Sequence, residues 1–426
     1  MKTVRLALAL AVGLVACGDD TTPPPPPPMD ASTDRTLPMR DGALPDTGMA
    51  TDASDAEATR CDVVELDLPM DFIATARPVS VEVSDEGFTV AYRRTGDDGD
   101  VYLSRVGLGP AETNVVTEPL VAEPGTATNV IVNGGMAVWE DDLNERVEKT
   151  IRAYPVRPAA GDTILDVTSR TGDARAPVVA RFEGGNWIFG YFEKAGEQWN
   201  VTVRSWDGTT LGNPQVLDTV GQVGQLSLAQ AGDQMMAAWQ QGDRSGGDIW
   251  LRPLDTSARP TGPGQIVSTE GNAVGPVQLA FHDNGGAVIF EVSVSGRPEV
   301  RSRLLHLDGS PKRAEQVVSL APPQGRNAAL ITYSGGFASV YHERLLGGGV
   351  PESVKLNFIH GSDGDVVFEL PLGSAGFDDG LPGLAVSADG VIVAAWAQVL
   401  PEGTKIRAVK IACPVAWLQC SPPEGA

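Results

Sequence analysis

Apolar and polar residues alternate with a period of two along most of the chain beyond residue 60. KTIRAYPV (149–156), NVTVRSW (200–206) and DIWLRPL (248–254) are typical, and such alternation reads as strands with one buried face. No apolar set in this region recurs every 3.6 residues over a useful length, so an all-β class is predicted. One short pattern returns along the chain: DEGFTVAY (85–92), NGGMAVW (133–139), EGGNWIFGY (183–191), AGDQMMAAW (231–239), NGGAVIF (284–290), SGGFASVY (334–341) and ADGVIVAAW (388–396). It closes each time on an aromatic, at Tyr92, Trp139, Tyr191, Trp239, Phe290, Tyr341 and Trp396. The period of roughly 50 residues marks a repeat architecture.

Each copy sits inside a larger unit. An apolar run precedes it, as in ATNVIV (127–132), and the Gly- or Asp-containing reversal has the chemistry of a hairpin turn. A polar loop and an alternating strand follow, and then a fourth short strand such as QVLDTV (215–220). Seven four-stranded antiparallel units set radially predict a seven-bladed β-propeller, with the repeated aromatics wedged between blades. The seventh unit ends at KIRAVKIA (405–412) without a fourth strand, while CDVVELDLP (61–69) stands unassigned before the first unit. That N-terminal strand is expected to complete the last blade and close the ring, which removes two exposed sheet edges. Cys61 opens it and Cys413 follows the third strand of the same blade. The favoured disulfide is Cys61–Cys413; Cys61–Cys420, Cys413–Cys420 and no bond are the alternatives.

Composition narrows the function classes. The 49 glycines and 32 prolines suit a chain of many tight turns. A net charge of −23, carried mostly by the repeat region, argues against a nucleic-acid partner, because phosphate binding needs a basic surface. The face bearing the loops between second and third strands is the expected binding face. Arg93, Glu140, Gln240, Glu291 and Glu343 leave the second strands there, near the channel, with Asp141 and Asp142 beside Glu140. These are the candidate binding residues for a sugar, a polyol or a cation. Asp97, Asp98 and Asp100, and separately Asp378 and Asp379, suggest Ca²⁺ loops but lack a full ligand set, so no metal is assigned. His306 and His360 occupy near-equivalent third-strand positions, and no histidine or cysteine pair has metal-ligand spacing. No nucleophile elbow, Walker loop or dinucleotide fingerprint occurs, and no catalytic residue is assigned.

Blades that read like GDIWLRPLD (247–255) and GTTLGNPQVLD (208–218) resemble the sialidase-type repeat propellers in style, over roughly residues 61–414. The resemblance implies a propeller fold. It also implies Asp-boxes, S-x-D-x-G-x-T-W, between third and fourth strands; the nearest match, TGDDGDVY (95–102), lies between a second and a third strand. No spacing marks the three arginines or the tyrosine–glutamate pair of that family, so no catalytic residue carries over.

The N-terminus predicts an address. MKTVR is a short basic segment, and LALALAVGLVA (6–16) is an apolar run too short to span a bilayer. Its end, Leu14-Val15-Ala16-Cys17, resembles the lipobox of bacterial lipoproteins. The resemblance implies cleavage before Cys17 and a covalent lipid on it, giving stable membrane attachment where two or more acyl chains are added. From residue 18 to 60 the Pro-, Asp- and Thr-rich sequence cannot bury enough surface to repay its ordering entropy, so a disordered tether is expected. The expectation is thus a monomeric, lipid-anchored envelope propeller, most readily at the outer membrane, in either its periplasmic or its surface-exposed setting. Its predicted role is to bind an envelope protein or a glycan, with no cofactor beyond the lipid. The alternative is a propeller-type glycan hydrolase or lyase that uses rim carboxylates.

Overall fold

Seven sheets account for the secondary structure of the described residues in a computed structural model of the chain. The structure describes residues 61–413, apart from 69–78, 94–100, 122–126, 143–146, 183–184, 244–245, 270, 320–323, 345–351, 377–379 and 401–402. The lipobox with Cys17, the tether, Cys420 and the proposed Ca²⁺ loops fall outside these residues. Each sheet has four antiparallel strands in sequence order, apart from the last. Blade 2, for example, runs Ala127–Asn133, Met136–Asp141, Thr150–Pro155 and Leu165–Asp166 from the channel outwards. Its hairpin turns at Gly134 and Gly135, whose φ values of +62° and +81° suit the twist-matched turns that favour glycine. Contacts between the first strands of successive blades, including blade 1 with blade 7, close the ring. The chain is a seven-bladed β-propeller.

The last blade is assembled from both ends of the domain. Asp62–Leu66 pairs antiparallel with Gly403–Ala412 as the outermost strand, in the register Asp62↔Ala412 to Leu66↔Ala408. Cys61 and Cys413 lie one step beyond that ladder and form a disulfide, with Cα atoms 4.2 Å apart. The expected closing strand and the favoured pairing are both present. Glu65 adds an ion pair to Arg407 on the neighbouring strand.

Among the described residues the hydrophobic core divides into seven clusters, one at each blade boundary. Each cluster holds one closing aromatic together with side chains of the preceding blade: Trp139 packs with Ala91, Val101 and Leu103 of blade 1, and Trp239 with Phe192, Val201 and Leu217 of blade 3. All seven closing aromatics are buried, because a wedge between twisted sheets is filled best by a large ring. Polar tips still find partners. The Trp239 indole N–H donates to Asp218 at 2.9 Å and that of Trp396 to the Ser374 carbonyl at 3.2 Å.

Two further repeats escaped the sequence reading. At one third-strand position Arg204, Arg252, Arg303 and Asn357 each donate to a carbonyl of the preceding blade: Val167, Leu217, Val267 and Val318, at 2.6, 2.9, 2.8 and 2.8 Å. The turn from third to fourth strand carries Asp207, Asp255 or Asp308, whose carboxylate accepts backbone N–H groups two to four residues on. The backbone bonds hold Asp207 below the usual carboxylate range, and the Ser310 hydroxyl together with the Ser310 N–H does the same for Asp308. An aspartate at the turn where sialidase Asp-boxes sit is therefore present, without the rest of that motif. The TGDDGDVY segment lies outside the described residues up to Asp100.

Candidate functional site

First strands line the channel, second strands surround them, and the alternation of antiparallel strands fixes two faces. The loops joining second to third strands share the upper face with the blade-to-blade connections. The first strands of all seven blades enclose a central cavity of about 560 Å³, walled by groups such as Val81, Val178, Leu228, Leu279 and Leu330.

The wall also carries polar groups, among them Arg181, Gln230, Gln278 and Glu82. The Glu82 carboxylate is buried and accepts the Gly135 N–H of blade 2 at 3.0 Å. Burial pushes its pKa above the ordinary glutamate value, and the Gly135 hydrogen bond and the charges of Arg157 and Arg105 only partly oppose this. A carboxyl that holds its proton more tightly when folded favours the fold below its unfolded pKa, near 4.3, and that contribution is lost as pH rises through the folded value. Glu82→Gln keeps an acceptor for Gly135 and is expected to melt higher than wild type at pH 7.5. The advantage should vanish as pH falls towards 4. A Glu82→Gln protein less stable at every pH would contradict this assignment.

At the upper mouth, one position repeats: the residue directly after each closing aromatic. It is Arg93, Glu140, Phe192, Gln240, Glu291, His342 and Ala397 in blades 1 to 7. In blades 2, 4 and 5 this side chain ties its blade to the next. Glu140 is buried and accepts the Ala176 N–H at 2.7 Å, while also accepting from Thr128 and Asn129 of its own blade. Gln240 donates to the Ala273 carbonyl, and Glu291 accepts the Asn327 N–H at 3.4 Å. The groups being tied lie at bulges in the first strands. Ala176 and Asn327 there have φ near +51°, a left-handed conformation costly for a side chain with Cβ, and the carboxylates anchor those turned N–H groups. Phe192 joins the apolar cluster of blades 3 and 4.

The next position along carries charge pairs within a blade. Asp141 accepts from Arg152 at 3.0 Å and from the Trp139 indole at 3.3 Å. Glu343 pairs with Lys355 at 2.7 Å and accepts from Ser353, while its Oε1 is buried with no hydrogen-bond partner among the described residues. Lys355 also donates to Glu369, which accepts the Tyr341 hydroxyl. Burial works against the Lys355 ammonium, but its two carboxylate partners outweigh it and hold the pKa above the ordinary lysine value. Burial beside Glu369 drives the Tyr341 hydroxyl well above the usual tyrosine range. Glu140, Asp141, Glu291 and Glu343 thus lie inside the blade framework and form no open pair of carboxylates.

Blades 7 and 1 depart from this pattern. Ala397 reduces the repeated position to a methyl group. Arg93 is half-buried, its Nε has no hydrogen-bond partner among the described residues, and burial depresses its pKa against the pull of Asp142. Asp142, buried on blade 2, also takes Lys149 Nζ at 3.4 Å. Lys149 thus pairs with that carboxylate, whose charge is also felt at Arg93. No group of three or more metal-ligating His, Cys, Asp or Glu side chains occurs among the described residues.

No family model and no curated protein matches this chain. Solved structures match its fold. The polysaccharide lyase Uly1 aligns with a TM-score of 0.52 at 10% identity, over 81% of this chain and 92% of its own. An ulvan lyase of a new polysaccharide lyase family, bound to -[GlcA(1-4)Rha3S]-, aligns with a TM-score of 0.52 at 10% identity, over 83% and 98%. A subtype N10 neuraminidase-like protein (little yellow-shouldered bat, Guatemala) aligns with a TM-score of 0.45 at 12% identity, over 83% and 99%. At these identities the likeness is one of fold, and the chain shares its propeller architecture with the two lyases.

Proposed function

We propose that the protein is a glycan-active propeller, a lyase or hydrolase whose saccharide lies across the upper mouth over blades 7 and 1. The observation that carries this reading is the break in the repeated mouth position. Blades 2, 4 and 5 use it to hold the ring together, whereas blade 7 presents only the methyl of Ala397, packed against the cluster of blades 7 and 1, and blade 1 presents the cation of Arg93. Support also comes from the occurrence of this fold in polysaccharide lyases. The reading reverses the order suggested by sequence, where binding without turnover stood first. It also moves the contact groups away from the rim acids, four of which are occupied in the framework. We further propose that Cys17 is lipidated and that the residues from 18 to 60 tether the propeller to an envelope membrane; a Cys17→Ala protein should then appear in the soluble fraction.

The test of activity is a panel of neutral and acidic polysaccharides incubated with purified protein. New reducing ends report hydrolysis, and ultraviolet absorbance of an unsaturated product reports elimination. Depolymerisation of at least one polymer is the expected result. A panel left intact would return the protein to a binding role.

A further inference from the structure

The channel wall is built in tiers, which the strand registers define. In every blade the first-strand residue that pairs two positions before the closing aromatic is a buried valine or leucine, from Val81 in blade 1 to Leu384 in blade 7. Together they form an apolar belt around the cavity. The next tier, towards the mouth opposite the upper one, holds only alanine in blades 3, 4, 5 and 7 (Ala180, Ala229, Ala280 and Ala385) and Glu82 in blade 1. Thr332 lies one tier further out, and Val83, Asn133 and Arg181 stand exposed at that lower rim. On the upper side of the belt stands Gln278 of blade 5. Two other polar residues of its tier are spent on the framework: Ser80 accepts the Val132 N–H at 3.0 Å and Ser227 the Leu279 N–H at 2.9 Å. Gln278 and Thr332 have no hydrogen-bond partner among the described residues, and Glu82 uses only Oε2, on Gly135. Burial pushes the Glu82 pKa up, and a hydroxyl that donates to its free oxygen would offset that desolvation. Glu82 and Arg181 are the single acid and the single base among the described lining residues, so the pocket suits a ligand without net charge. Its volume of about 560 Å³ lies within the ~300–1,000 Å³ of small-molecule sites, which likewise set a few polar groups in an apolar wall.

We infer that the channel is a binding site, separate from the upper mouth, for one neutral sugar or cyclic polyol, held by Gln278 on one side of the apolar belt and by Glu82 and Thr332 on the other. Two strand residues separate the tier of Gln278 from that of Glu82, about 7 Å along the channel, the span of one six-membered ring with its hydroxyls. The C–H faces of such a ring lie against the belt, and the hydroxyls at its edge reach the amide above and the carboxylate below. The inference is independent of the function proposed above.

Saturation-transfer NMR titration of the purified protein with D-galactose, L-rhamnose and myo-inositol tests the inference. Wild type is expected to bind at least one of them with a millimolar Kd, and the preferred probe tells a sugar from a cyclic polyol. Gln278→Leu keeps the shape of the side chain and removes its amide, and should weaken that probe at least tenfold. Thr332→Val should weaken it less. Glu82→Gln exchanges a charged acceptor for a neutral one and should weaken it severalfold. Melting curves establish that each variant is folded, and because the three substitutions lie in different blades, a variant that fails to fold leaves the others to read. A wild type that binds none of the three probes overturns the inference. Binding that persists unchanged in the folded variants places the probe outside the channel and overturns it equally. The polysaccharide panel reads the upper mouth and this titration reads the channel, so either proposal can fail alone.

Discussion

Trp239→Ala is expected to lower the stability of the propeller by about 3–5 kcal/mol, the range for truncating a large buried aromatic. The ring is 1% exposed and packs against the sheets of blades 3 and 4. Its loss leaves a void between two twisted surfaces that cannot collapse onto each other without shifting their neighbours in the closed ring. It also leaves Asp218 without the indole N–H it accepts at 2.9 Å. Trp239→Phe refills most of the volume and should recover more than half of the loss. Urea unfolding followed by tryptophan fluorescence measures both. A Trp239→Ala midpoint within error of wild type would mean that the blades are not held at their boundaries.

The second large effect concerns the closure. Reducing the Cys61–Cys413 bond, or replacing both cysteines with serine, should cost about 2–5 kcal/mol, the upper part of the range for a native disulfide. The bond spans 352 residues, so in the chain-entropy model it restricts the unfolded state strongly. What it protects in the folded state is local. Asp62–Leu66 is an edge strand of five residues, four of them exposed. It holds by its ladder to Gly403–Ala412, by the Glu65–Arg407 ion pair and by Leu66 in the cluster of blades 7 and 1. Without the disulfide, hydrogen exchange should accelerate first in residues 62–66 and 408–412. Across the same seam, Lys410 donates to the carbonyls of Gly107, Gly109 and Glu112 of blade 1. Those contacts should keep the remainder of blade 7 protected. Uniform acceleration through all blades would show instead that the closure governs the whole ring.

The architecture was legible because a propeller repeats its physics. Apolar alternation, a Gly-containing reversal and a closing aromatic recur wherever a blade must pack on its neighbour, so seven weak signals add to one strong one. The closing strand emerged by elimination, since one blade lacked a strand and one strand lacked a blade. The mouth was less legible. Glu140 and Glu291 look like rim acids in sequence because a carboxylate towards the end of a strand has the same one-dimensional context whether it faces solvent or a neighbouring backbone. What distinguishes them is the bulge in the following blade, with Ala176 and Asn327 turned to positive φ, and no residue pattern announces an alanine in that conformation. Arg204, Arg252 and Arg303 had a signal, an arginine recurring late in the third strand, which was masked by the ordinary alternation of polar positions there. Ala397 illustrates the hardest case: its interest lies in what the other blades carry at the same place.

Turnover and melting temperature measured together on Ala397→Trp and Glu291→Gln test the central claim most directly, using whichever polysaccharide the wild type degrades. The account predicts that Ala397→Trp puts a bulky ring into the mouth over blades 7 and 1 and abolishes turnover while the protein still melts cooperatively. It predicts the reverse for Glu291→Gln: a lower melting temperature, because the tie to Asn327 is weakened, with turnover per folded molecule preserved. An Ala397→Trp protein that degrades the polymer at the wild-type rate would place the active face elsewhere and contradict the account.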